Sequence, residues 1–364
     1  MKIKQVTDFL ESLAPLSSQE SYDNSGLLVG NSDSEITGIL VSLDCTEQIV
    51  EEAISKGCNL IISHHPIIFG GIHKLTGSNY VERVIEKSIK HSIALYAIHT
   101  NLDNYRFGVN YRIGSLLGLS NLRILAPSSN TLNKLIVYVP ASNKEMLLEA
   151  MYSSGAGAIG NYDECSFQVS GTGSFRPNQA ADPYIGDKFQ RNESEEVKIE
   201  LLVSSHVLPA VLGAMRAHHP YEEVAYYSIP LENKNQFEGA GMIGEFDEPM
   251  PTDVFLKKVK QVFNCGAIRY TKTAKDSIKS VAFCGGSGVF LLKNAIQAKA
   301  DIFVTADVKY HEFFNAEDHL ILADIGHFES EQYTSQLIAD LLKEKFTTFA
   351  VHLTEINTNP INYL

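Results

Sequence analysis

The chain has 364 residues, 44% of them hydrophobic, and a formal net charge of −13. That length suggests two domains with sizeable cores. The acidic balance argues against nucleic acid as a partner, because phosphate backbones demand Lys and Arg. The five cysteines are odd in number, scattered and without a CxxC, so neither a disulfide framework nor a zinc ribbon is expected, and a reducing cytoplasm fits.

The N-terminal stretch predicts an amphipathic helix with Val6, Phe9, Leu10 and Leu13 on one face. It lacks the apolar core and cleavage site of a signal peptide, and no apolar run is long enough to span a membrane. Strand and helix then alternate. "GILVSLD" (38–44) predicts a strand, and "TEQIVEEAISKG" (46–57) a helix with a Thr start and a Gly stop. "NLIISH" is a strand, "YVERVIEKSIKHS" (80–92) a helix and "IALYAIHTNLD" (93–103) begins as a strand. The last third resumes this pattern through "SIKSVAFCGGSG", "VFLLKNAIQAKA", "DIFVTAD", "HLILADIGH" and "ESEQYTSQLIADLLKEKF". Such alternation predicts a doubly wound α/β domain.

The middle differs. "APSSNT" (126–131) and "LENKNQFEGAG" (231–241) read as linkers. Between them the order is strand, helix, strand, strand, helix, strand, a ferredoxin-like unit. The expected organisation is therefore an α/β domain of residues 1–127 plus 238–364, interrupted by an inserted domain, 128–237. Insertion is tolerated where the inserted termini lie close together.

Ligands of parallel sheets bind beyond the carboxyl ends of the strands. Four strand ends carry metal-competent side chains. The first carries His64 and His65. The second carries Asp103, with His99 just before it. The third carries Asp307, with His311 four residues on. The fourth carries Asp324, then His327 and Glu331, spaced i, i+4 on one helical face. Imidazole with carboxylate suits Zn²⁺, Fe²⁺ or Mn²⁺. His64, His65, Asp103, His327 and Glu331 exceed what one catalytic zinc needs, so two ions sharing a carboxylate are expected. His99, Asp307, His311 and Asp324 rank second, as supporting or substrate-facing groups. Glu329 reads as a first-turn residue favoured by the helix dipole, and Asp44 as a turn or helix-start residue. The "CGGSG" turn (284–288) could offer backbone N–H groups to a phosphate, but a tight strand–helix turn is the reading it favours. "HHPYEE" (218–223), with Glu222 and Glu223, could bind a cation, but reads first as a structural helix exit.

"SYDNSGLLVG" (21–30), "SHHPIIFGGIHKL", "HTNLDNYRFGVN", "TADVKYH" and "GHFESE" together resemble the GTP cyclohydrolase 1 type 2 homologue family of dinuclear-metal proteins. The resemblance covers nearly the whole chain. It implies metal ligation by His64, His65, Asp103, His327 and Glu331. Tyr22 stands where the family commonly has Trp. "GAGAIGNYDECSFQVSGTGSFRP" and "HPYEEVAYYSIPL" resemble the additional PII-like and CutA-like domain of longer bacterial members. The resemblance also implies a toroidal homohexamer with its metal sites facing an internal cavity. The function expected is a cytoplasmic dinuclear-metal hydrolase of a small nucleotide or pterin-like substrate, with zinc the first expected metal. His311 or Asp307 would move protons, and the glycine turn or Lys309 would meet a phosphate. The alternative is a metal-binding regulatory or scaffold protein whose inserted domain senses a ligand or partner.

Overall fold

The computed structural model describes residues 1–272 and 275–364. The chain divides into two compact units, residues 1–127 with 237–364, and residues 128–236.

The larger unit is mixed α/β, and its halves do not merge into one doubly wound sheet. The first half builds a five-stranded sheet around Ile39–Ser42, Leu60–Ser63 and Ala94–Ala97, all parallel, with Gly26–Val29 antiparallel at one edge. The late strand Val351–Leu353 returns to complete the other edge, parallel to Ile39–Ser42. The second half builds a six-stranded sheet whose centre is Ser277–Phe283, Ile302–Thr305 and Ile321–Asp324, also parallel.

Alternation along these strands decides which core each side chain joins. Ile39, Val41, Leu60, Ile62 and Tyr96 of the first sheet share one core with Val281, Phe283, Ile302 and Val304 of the second. Their neighbours Leu40, Ile61 and Leu95 enter a separate outer core with Ile49, Val50 and Val84. Ala282, Phe303 and Leu322 do the same on the other sheet. Both sheets are thus buried on both faces, which explains their continuous apolar strands. Each buried Leu, Ile or Phe contributes about 1.5–3 kcal/mol.

Local signals set the helix boundaries. Thr46 caps Glu47–Ser55 by accepting from the Ile49 N–H, and Gly57 ends it at φ 68°. The first helix, Ile3–Leu13, buries Ile3, Val6 and Leu10, while Phe9 and Leu13 sit only at its margin. The long final helix is instead two, His327–Glu331 and Thr334–Lys345. Both expected linkers contain strand: Ser120–Ser128 and Asn235–Pro251 join the second sheet. No helix among the described residues is long and apolar enough to cross a membrane.

In the smaller unit the elements run Leu132–Pro140, Lys144–Ser153, Ser166–Phe175, Asn192–Ser204, Leu208–His218 and Tyr226–Leu231. Its four strands form one antiparallel sheet in which the first lies between the third and fourth. Leu132 pairs with Leu231, so the unit's two ends lie side by side. Its core is its own, with Leu135, Val137, Ile199, Met151 and Met215 fully buried.

Candidate metal centre

Carboxyl-terminal strand ends of both sheets meet at one place in the larger unit. His64 and His65 follow Leu60–Ser63, and Asp103 lies in the short helix Thr100–Asn104 after Ala94–Ala97. His327 and Glu331 begin and end the helix after Ile321–Asp324. The structure brings these five residues together, and His99 with them. Three groups of donor atoms result: His64, Asp103 and Glu331; His65, His327 and Glu331; and His64, His65 and His99.

Each imidazole presents one nitrogen because the other is occupied. The fully buried His64 donates Nδ1–H to the Ile98 carbonyl at 2.8 Å. Its Nε2 is left without a hydrogen-bond partner, 3.6 Å from an equally unpartnered Oδ1 of Asp103. His65 places Nδ1 2.7 Å from Asp44, and His327 places Nδ1 2.6 Å from Asp307. Their Nε2 atoms approach to 3.3 Å, and each lies 3.0 Å from Oε2 of Glu331. The other Glu331 oxygen lies 3.9 Å from His64 Nε2. Glu331 therefore spans two donor groups. Buried donors left facing each other without partners are costly unless something else satisfies them. These could hold two divalent transition-metal ions, the imidazoles oriented by carboxylates in the manner of ligating histidines.

The electrostatics agree. Burial opposes charge on His65, but Asp44 and Glu331 overcome it and raise its pKa to about 9. Burial likewise opposes charge on His327, yet Glu331 and Asp307 raise it to about 11. Burial lowers His64 to about 3, keeping it a neutral donor. Asp103 is raised by burial and then by the Glu331 charge. Burial also opposes ionisation of Glu331, but His327 and His65 hold it well below its ordinary value. The carboxylate charges that favour protons on His65 and His327 would equally favour a metal cation, which would take the place of the Nε2 protons.

Glycine makes room for the shared carboxylate. A Cβ on Gly286, at φ +61°, would stand 2.3 Å from Glu331 Oε1. The same turn is not a free phosphate cradle. The N–H groups of Gly285, Gly286 and Gly288 are donated to Asn110, Ser330 and Thr305.

Other expected residues divide. Asp307 touches His327 rather than standing free to move protons. His311 stacks on Phe314 and lies outside the set lining the cavity around the cluster, as does Lys309. Asp324 is buried, ion-paired to Arg269, and accepts the Val308 and Gly326 N–H groups. Asp44, which its sequence context marks as a turn or helix-start residue, faces the cluster. Asp23 was not singled out. It is a buried carboxylate 2.7 Å from His99 Nδ1 and also bonded to Thr100. Burial opposes its ionisation, but these bonds hold it well below the usual carboxylate range.

A cavity of about 940 Å³ opens on the cluster. His65, His99, Asp103, His327 and Glu331 line it on one side. The segment from Ile68 to Lys74 forms another wall, carrying the exposed Phe69. Glu82 anchors the end of that wall, accepting from the Thr76 and Ser78 N–H groups at 2.8 and 3.1 Å. These backbone bonds, Thr76 first and then Ser78, lower the Glu82 pKa from 4.5 to about 2. A depressed folded pKa means stabilisation present above the unfolded value and lost as pH falls through the folded one. The wall is thus expected to loosen between pH 4.5 and 2, read as pepsin cleavage across residues 70–79. Glu82→Gln is expected to expose the same segment to proteases at neutral pH.

Fold and site define a mixed α/β protein with a histidine–carboxylate cluster at the strand ends of two sheets. The Duf34/NIF3 (NGG1p interacting factor 3) family profile matches residues 1–360, and the chain belongs to that family. A Staphylococcus aureus relative named "GTP cyclohydrolase 1 type 2 homolog" is 36% identical over 369 residues, covering all of both chains. A relative of the same name from Halalkalibacterium halodurans is 37% identical over 364 residues, covering 99% of this chain and 98% of that one. The crystal structure of a Bacillus cereus protein related to NIF3 matches with TM-score 0.87 and 33% identity, over 100% of this chain and 99% of that one.

Proposed function

We propose that the chain is a dinuclear-metal-dependent hydrolase of a small nucleotide or pterin-like molecule. The observation that carries this is Glu331, one carboxylate reaching both the His65–His327 pair and the otherwise unpartnered His64–Asp103 pair. His64 and Asp103 would serve one ion, His65 and His327 the other, and Glu331 both. Zinc is the first expected metal, with iron or manganese as alternatives. When bound, such a pair acidifies water and polarises an electrophile at neutral pH.

The chain's own residues supply the rest. His99, with Nδ1–H given to Asp23, keeps Nε2 to hold or move a proton at the cavity. Phe69 and Phe290, both exposed and both lining the cavity, offer faces for a planar ring. The relatives' name supports a purine nucleotide such as GTP as the first substrate to try. An open cavity against the donors favours catalysis over a scaffold, whose metals would be closed in by protein. The smaller unit belongs to the same reading as a ferredoxin-like insert, and the assembly as a cytoplasmic homohexamer.

Native mass spectrometry of the purified chain tests metal and assembly together. About two transition-metal ions per chain are expected, carried on hexamers. A metal count near zero after reloading with Zn²⁺, Mn²⁺ and Fe²⁺ would sink the metal reading. Incubation of the loaded protein with nucleotides and pterins, with mass-spectrometric detection of a product gaining one water, tests the hydrolase.

A further inference from the structure

The smaller unit contains a second cavity of about 410 Å³ that the metal chemistry does not use. Its construction starts from the "HHPYEE" helix exit. His219 is buried, donates Nε2–H to the Tyr138 carbonyl at 2.8 Å, and accepts the Tyr221 N–H on Nδ1 at 3.1 Å. Both nitrogens are spent, so His219 is no metal ligand; it fixes Tyr221. The Tyr221 ring then stands 6.3 Å from Phe175 and 6.1 Å from Tyr184, three aromatic faces about one space.

Glu196 is set into that space. Tyr221 donates its hydroxyl to Glu196 Oε1 at 2.8 Å. The other oxygen occupies room that only glycine leaves, since a Cβ on Gly173 would lie 2.3 Å from it. Among the described residues no Lys, Arg or His pairs with Glu196. Glu200, four residues along the same strand, is paired with both Lys134 and Lys198. Glu222 and Glu223 also line the cavity, against the single guanidinium of Arg176. That guanidinium is engaged by the Phe189 carbonyl at 3.0 Å. Glu222 accepts the Asp182 N–H at 2.7 Å, tying the neighbouring loop beside the opening.

A half-buried carboxylate without a cation, among aromatic faces and further carboxylates, is complementary to one kind of ligand. We propose that this cavity binds a small organic cation, an ammonium on a compact apolar or aromatic body. The charge would lie against Glu196 and the body against Tyr221, Phe175 and Tyr184. Aromatic faces attract a cation, and more strongly once it is desolvated. A volume near 400 Å³ lies at the small end of ligand pockets.

The test is calorimetric titration of the full chain with choline and benzylammonium. Each is compared with an uncharged counterpart, the carbon isostere of choline and benzyl alcohol. At least one cation is expected to bind about tenfold tighter than its counterpart. Glu196→Gln is expected to remove that preference and leave the counterpart's affinity unchanged. Gly173→Ala, which displaces the same carboxylate without altering its charge, should do likewise. Circular dichroism selects whichever variant stays folded. Equal binding of cation and counterpart, unchanged cation affinity in a folded variant, or no binding of either cation at millimolar concentration would each overturn the proposal.

Discussion

Glu331→Gln is expected to weaken both metal sites, by one to two orders of magnitude in dissociation constant, while Glu329→Gln leaves them nearly unchanged. The two glutamates are two positions apart and both are buried. Geometry separates them. Glu331 returns to the face of His327 after four residues, and the 3.0 Å contact follows. Glu329 turns the other way, toward the Asn359 side chain at 3.5 Å, and does not line the cavity. An amide at 331 would still fill the space but would carry no charge to compensate two dications. The figure follows from losses of 10–100-fold when even indirect partners of a metal are removed. Competition titration against a chromophoric chelator, with Zn²⁺, measures it. Thermal unfolding of each variant separates metal loss from fold loss, since removing one partner of a buried pair is itself destabilising. Equal affinities in the two variants would remove Glu331 from the centre and with it the case for a shared carboxylate.

What the sequence disclosed about the site follows from how unusual its signals are. Two imidazoles at the end of an apolar strand have no part in strand packing, and the structure brings His64 and His65 to the cluster. The i, i+4 pair His327 and Glu331 is a local relation, so local reasoning sufficed. Asp44 and Asp23 are different. Each is an acidic residue where acidic residues commonly start turns, and its partner lies 21 or 76 positions away. Nothing in the neighbouring residues marks that. The phosphate role left open for the glycine turn falls for a related reason. Glycine there permits the approach of Glu331, not of a ligand, and the side chains that use its N–H groups come from distant segments. For the fold, strand–helix alternation predicted the elements but not their partition. A parallel strand buried on both faces looks the same whether its half-domains share one sheet or form two. The glycine-rich "EGAGMIGEF" stretch has low strand propensity, yet its Met242–Glu245 segment pairs antiparallel with Ser280–Phe283, Met242 opposite Phe283. That pairing overrides propensity.

The carboxylates behind the two histidines should have a signature of their own. Asp44→Asn and Asp307→Asn are each expected to weaken one metal site and spare the other. Asp44 and Asp307 orient His65 and His327, which belong to the same donor group. His64, in the other group, is oriented by the Ile98 carbonyl, a main-chain atom that neither substitution touches. Asn suits both positions. Asp307 sits at φ 55°, a left-handed conformation that Asn tolerates and most side chains do not. An Asn carbonyl can still accept the imidazole Nδ1–H, so orientation is partly kept and the lost charge dominates. A loss near tenfold is expected for Asn, and nearer a hundredfold for Ala, which keeps neither. Asp44 should be the more sensitive position, because Thr358 donates to its second oxygen at 2.6 Å and holds it in place. Asp307 is half exposed, and solvent screens its charge. The observable is a zinc titration that changes from two tight steps to one tight and one weakened step, with native mass spectrometry showing a one-ion species. Equal weakening of both steps would mean that the two donor groups do not act as separate sites. No weakening would mean that Asp44 and Asp307 meet the histidines without supporting a metal.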